Sequence, residues 1–182
     1  MNIKDRWLYF PILILFLNFV YRLINQSQIT RIFPLDYTND WASYMAQLFF
    51  LDKCGYNNLC PYWYNGILTL KSAQPGWYFF TLPLYKITND VLIAVFISLL
   101  VIFILGFVVF YFFGRLNKFS LTKIAAFFIF FFGNAIAVGN FIRLGRINEL
   151  FAWLNFIPLA FILLFYKDHR LDKNFFWTIP FL

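Results

Sequence analysis

Val91–Phe113 reads VLIAVFISLLVIFILGFVVFYFF, 23 residues without a charged side chain. A bilayer core is crossed by about 20 apolar residues in a helix rising about 1.5 Å per residue. This stretch is long enough to cross and has no polar face to turn toward water. It sets the class: an all-α integral membrane protein. The composition agrees with it. The 182 residues are 62% hydrophobic, 25% aromatic and 13% charged, with 28 Phe, whereas soluble domains carry roughly 25% charged residues. The formal charge of +7 then points to anionic lipid beside cytoplasmic loops. No nucleic-acid-binding pattern accompanies it.

Outward from this span, further apolar segments appear on both sides. Residues 7–24 form a first span after the charged start MNIKDR. No small-residue cleavage site follows, so the segment reads as a retained anchor rather than a signal peptide. Residues 124–142 and 150–166 are two more spans, separated by the charged connection RLGRINE, 143–149. After KDHRLDK, 167–173, an apolar run begins at 175 and stops at 182. It is too short to cross, and the expectation is an N-terminal portion of a longer membrane domain.

Lys and Arg are unevenly shared between the connections. Segments 1–6, 114–123 and 167–173 hold eight of them in 23 positions, while 25–90 and 143–149 hold six in 73. By the positive-inside rule the N-terminus is cytoplasmic and the long loop 25–90 is extracytoplasmic. The expected fold is a polytopic transmembrane helix bundle whose long first loop carries an interfacial helix. That helix is expected over Asp40–Asp52, with Trp41, Met45, Leu48 and Asp52 at helical spacing and Asp40 at its positive end. Cys54–Gly66 has turn signals at Cys54-Gly55, Asn57-Asn58, Cys60-Pro61 and Asn65-Gly66. Gly76–Ile87 is apolar but holds Pro83 and is too short to span. It reads as a re-entrant or interfacial helix, or as the start of a tilted span broken near Thr88-Asn89-Asp90.

Cys54 and Cys60 flank five residues that turn readily. They are either two unlinked thiols or, in an oxidising exterior, a disulfide closing a small loop, and the disulfide is the expectation. With a single distant His169 they do not make a zinc site.

Two groups of residues could carry chemistry. Asp36 and Asp40 stand at the head of the long loop. A carboxylate there serves as a helix-end charge, as a base for an incoming hydroxyl, or as an oxygen ligand for a divalent metal such as Mg or Mn. Arg143 and Arg146 lie three apart, with Glu149 three further on. They form an interfacial ion pair, or they recognise a lipid phosphate through the planar Arg fork.

These elements resemble the opening of the C-type (GT-C) glycosyltransferases, and more closely large prokaryotic membrane proteins with a GT-C-like N-terminal half. Asn39-Asp40-Trp41, Pro61-Tyr62-Trp63-Tyr64-Asn65-Gly66, Gln74-Pro75-Gly76-Trp77-Tyr78, Leu82-Pro83-Leu84 and Gly145-Arg146-Ile147-Asn148-Glu149-Leu150 look like elements of that pattern. Where those proteins carry His before the Asp and again shortly after it, this chain carries Asn39 and Tyr44. The resemblance implies transfer of a sugar from a polyprenyl-phosphate donor to an extracytoplasmic acceptor. Asp40 would be the base or metal-binding carboxylate, with Asp36 in support. Arg143 and Arg146, with Glu149 beside them, would hold the donor phosphate, and Trp41, Trp63 and Tyr64 would stack on sugar. The alternatives are a transporter or flippase, with Asn134, Asn140 and Asn155 lining a path, and a non-catalytic membrane assembly protein. No span carries a buried acid, which argues against proton-coupled transport.

Overall fold

The computed structural model describes residues 3–32, 39–62, 65–68, 75–167 and 169–178. Among these the chain is mostly helical. Helix α1, Ile3–Gln26, carries Pro11 inside and runs on into a 3-10 turn at Ser27–Thr30. Helix α2 is Asn39–Cys54. A two-residue antiparallel ladder, β1 Leu59–Cys60 with β2 Ile67–Leu68, follows and pairs Leu59 with Leu68 and Cys60 with Ile67. Helix α3 is Pro75–Thr88 and helix α4 is Val91–Leu116. Helix α5 is Leu121–Phe132, and α6 runs from Ala135 to Arg143, its second part wound as a π-helix. Helix α7 is Ile147–Lys167 and the short α8 is Lys173–Thr178. Among the described residues, three single helical segments are long and apolar enough to cross a membrane: Tyr9–Thr30, Val91–Leu116 and Ile147–Lys167.

Helix α4 is the axis of the bundle. Asp90 caps it, its carboxylate accepting from the amides of Leu92 at 2.8 Å and Ile93 at 3.1 Å. Asn89, at φ 54°, turns the chain so that α3 folds back along α4. The hairpin is closed by Trp77, whose ring nitrogen donates to the Ser98 hydroxyl at 3.3 Å. Small residues let neighbours come close. A Cβ on Gly114 would sit 2.6 Å from the Ile124 side chain, so this glycine sets the spacing of α4 and α5. Between the helices the Phe side chains meet mostly edge to face: Phe19 on Phe103 at 4.9 Å, Phe103 on Phe132 at 5.6 Å, Phe107 on Phe128 at 5.4 Å.

The expected continuous span over 124–142 is not what the structure contains. The helix stops at Phe132, and α5 and α6 are bent by 50° to one another. Asn134 is the cause. Its amide nitrogen donates to the carbonyls of Phe130 and Phe131, and its amide oxygen accepts from the backbone N–H groups of Ile136 and Ala137, all at 2.9–3.0 Å. One side chain ends the first helix and caps the second, so four backbone groups at the break are paired in an apolar setting. Asn134→Leu is therefore expected to keep the chain apolar and still destabilise it. The loss should be about 1–3 kcal/mol, the usual cost of unpaired buried backbone groups. Thermal unfolding in detergent micelles measures it.

Gly76–Ile87, read as re-entrant, interfacial or a broken span, is the separate helix α3 of the hairpin. The segment called a long loop is thus largely built, with α2 and α3 packed onto α4 and the small ladder against α2. Helix α2 buries Trp41, Met45, Leu48 and Leu51. Cys54 and Cys60 are joined as a disulfide with their Cα atoms 5.4 Å apart, which ties the small ladder to the end of α2. Beside it Asp52 forms ion pairs with Lys86 of α3 and, at 3.6 Å, with Lys53. The hydrogen bond from Lys86 chiefly holds the Asp52 carboxyl below its ordinary value of 3.8. A carboxyl lowered in the folded state contributes stability above its unfolded pKa and loses it as pH falls through the folded one. The wild type is expected to be more stable than Asp52→Asn at neutral pH. The difference in melting temperature should close below the ordinary pKa of 3.8.

Candidate ion cluster at the start of α2 and α7

The first turns of α2 and α7 lie side by side. Trp41 makes the joint. Its ring is fully buried, and its nitrogen donates to the Ile142 carbonyl at 3.0 Å, across 101 residues of sequence. It lies flat under Gly145, which has φ +76° and whose missing Cβ would stand 2.3 Å from the indole. The π-turn of α6 brings the chain to this point. Leu144 donates to the Gly139 carbonyl and Arg146 to that of Asn140, and α7 starts immediately after.

This joint sets Asp40 opposite Arg146. The guanidinium Nε lies 3.4 Å from an Asp40 carboxylate oxygen, and Nη1 lies 3.5 Å from Glu149. The side chains of Asp40, Arg146 and Glu149 are 39%, 42% and 51% exposed, so the cluster is open to solvent. Tyr44 lies one turn along α2. Burial, with the Asp40 and Glu149 charges added, pushes its phenol above the ordinary value, against the opposing pull of Arg146. Glu149 and Trp153 line two adjoining grooves of about 330 and 380 Å³, the larger bounded also by Asn134, Asn140 and Phe141.

Under the cluster runs a part-buried polar chain. The Tyr78 hydroxyl donates to the Gln47 carbonyl oxygen at 2.5 Å, and Gln47 donates to the Ser43 hydroxyl at 3.2 Å. Asn148, in the first turn of α7, stands by the Tyr78 hydroxyl. The chain stitches α2, α3 and α7 together below the ions. Tyr78→Phe should leave the side-chain oxygen of Gln47 short of a partner and cost about 1–3 kcal/mol. A melting temperature equal to wild type would show that the stitch carries no weight.

Of the residues singled out in the sequence, the structure gathers Asp40, Arg146 and Glu149. Arg143, at the end of α6, is exposed and makes no ion pair among the described residues. Asp36, Trp63 and Tyr64 lie outside the described residues. Trp41 needs correcting: a ring fully enclosed by protein has no face free for sugar, and it acts as the anchor of the joint. Tyr44, Tyr78 and Asn148 lie in the elements quoted above without a site role of their own, and nothing in the sequence points to Gln47. Among the described residues no group of three His, Cys, Asp or Glu side chains is placed to hold a metal. Asp40 and Glu149 do not fit a resident Mg or Mn, because Arg146 is bracketed between them. Comparison with family models, curated proteins and solved structures gives no match.

Proposed function

We propose that the chain is a GT-C-like membrane glycosyltransferase that moves a sugar from a polyprenyl-phosphate donor to an extracytoplasmic acceptor. The observation that carries this reading is the ion cluster. A carboxylate and a guanidinium from distant parts of the chain meet at the mouth of apolar grooves on a bundle of membrane-spanning length. In this reading α2 and the cluster face the exterior, as the distribution of Lys and Arg favours. The grooves take part of the prenyl chain. Arg143, with no competing carboxylate among the described residues, takes the phosphate first, and the fork of Arg146 completes its binding. Asp40 accepts the proton of the attacking acceptor hydroxyl as that oxygen bonds to the anomeric carbon and the prenyl phosphate leaves. Glu149 keeps Arg146 oriented between turnovers.

The test is transfer from a labelled polyprenyl-phosphosugar by the protein reconstituted in vesicles. Transfer that needs Asp40 and Arg146 is the expected result. A second reading, a flippase, is favoured by one observation: the span broken at Gly133-Asn134, with Asn134 and Asn140 on the wall of the larger groove. Movement of the same labelled lipid between leaflets without transfer would select it.

A further inference from the structure

The other end of the bundle carries a site of different character. Helices α4 and α7 part there and leave a cleft of about 390 Å³. Its floor is aromatic, with Phe113 stacked on Phe161 at 5.5 Å and Phe165 beyond. Leu116 and Ile162 form its sides, and Asn117 and Tyr166 mark its rim. Leu116 is 76% exposed, an aliphatic side chain left open where the two helices end.

The helix ends that bound this mouth carry cations. Arg115 is in the last turn of α4 and Lys118 follows it at φ 59°. Lys167 is in the last turn of α7, and Arg170 lies just beyond it. None of the four makes an ion pair among the described residues. Asp172, a described acid just beyond α7, is engaged by the Tyr166 hydroxyl at 2.6 Å and the Phe175 amide at 3.0 Å. His169 stacks on Phe165 at 4.2 Å, and its Nδ1 meets the Phe165 carbonyl, so it closes the rim without adding an acid.

An apolar cleft at the end of two spans, with basic side chains that make no ion pair among the described residues on the helix ends beside it, has the complementary form of an anionic phospholipid. We infer that one anionic phospholipid of the leaflet at this end docks between α4 and α7. An acyl chain lies on Phe113, Phe161 and Phe165, and the phosphate is among Arg115, Lys118 and Lys167. The cleft volume is that of an ordinary ligand pocket, and basic side chains near a membrane surface attract anionic headgroups individually. This site is at the opposite ends of α4 and α7 from the ion cluster and does not depend on the proposed transfer activity.

The experiment is native mass spectrometry of the whole chain, delipidated in a neutral detergent and titrated with phosphatidylglycerol or phosphatidylcholine of the same acyl chains. One phosphatidylglycerol should be retained in preference to phosphatidylcholine, and it should raise the melting temperature. Arg115→Gln with Lys118→Gln should lower phosphatidylglycerol affinity about 30-fold, roughly fivefold per basic residue, and leave phosphatidylcholine unchanged. Leu116→Trp, on an exposed side chain that folding does not need, should block the cleft and abolish retention. Equal retention of the two lipids would overturn the inference. So would undiminished phosphatidylglycerol binding in either variant, or a dimer appearing in place of the lipid adduct.

Discussion

Gly145→Ala is expected to destabilise the protein more than any other single-methyl addition in the chain. Two costs fall on one position. A residue with a Cβ in the left-handed region costs roughly 1–2 kcal/mol. Forcing a methyl into a packed site costs roughly 1–3 kcal/mol more. Here the new methyl would stand 2.3–2.4 Å from three atoms of the Trp41 ring, a rigid group enclosed on all sides. The expected loss is thus about 2–5 kcal/mol. The damage should not stay local. If the indole moves, its hydrogen bond to the Ile142 carbonyl opens and the starts of α2 and α7 separate, taking Asp40 away from Arg146. Gly139→Ala is the control, since a Cβ there meets nothing within 4 Å and the backbone is unstrained. Thermal unfolding of the two variants in the same micelle separates local strain from a general intolerance of added bulk. A Gly145→Ala protein that melts with wild type would remove the joint as the organiser of the cluster.

What the sequence makes readable is what composition alone decides. Val91–Phe113 has no charge in 23 residues, and the helix found there runs from Val91 to Leu116. Its start is also written locally, because Asp90 is a capping residue and Asn89 tolerates positive φ. Asn134 misleads because a single amide in an apolar run looks like a tolerated inclusion. Only the four backbone groups around it show that it ends one helix and begins another. Trp41 misleads in the opposite way. Beside an acid in a polar stretch it suggests a sugar platform, and the reason it is buried lies 104 residues later, in the absent side chain of Gly145. The same distance hides the Asp40–Arg146 pair. Each half could be singled out for its chemistry, but no local pattern brings α2 to the first turn of α7. The two-residue ladder after α2 was also missed, since its strands are too short to show alternation.

Asp40→Asn carries the largest expected effect on activity. Asp40 is in the first turn of α2, with more than a third of its side chain exposed, facing the guanidinium of Arg146. Its stability role should be small. An exposed ion pair is worth about 0–1 kcal/mol, and Asn also serves helix starts. The variant should therefore fold, bind detergent and melt within a few degrees of wild type. If Asp40 is the base of the proposed sugar transfer, the variant should lose about 10²–10⁴-fold in turnover, the usual share of general-base catalysis. Two further variants keep that result from being ambiguous. Glu149→Gln removes the other carboxylate from Arg146. If Asp40 acts merely by orienting Arg146, Glu149→Gln should lower turnover to a similar degree; if Asp40 takes the proton, Glu149→Gln should cost far less. Arg146→Lys keeps the charge but not the planar fork, so it should raise the donor concentration needed for half-maximal rate more than it lowers the rate at saturation. The comparison is transfer rate per folded protein, at varied donor concentration, for all three. Undiminished transfer by Asp40→Asn would take the carboxylate out of the chemistry and leave the cluster as a structural clasp between α2 and α7.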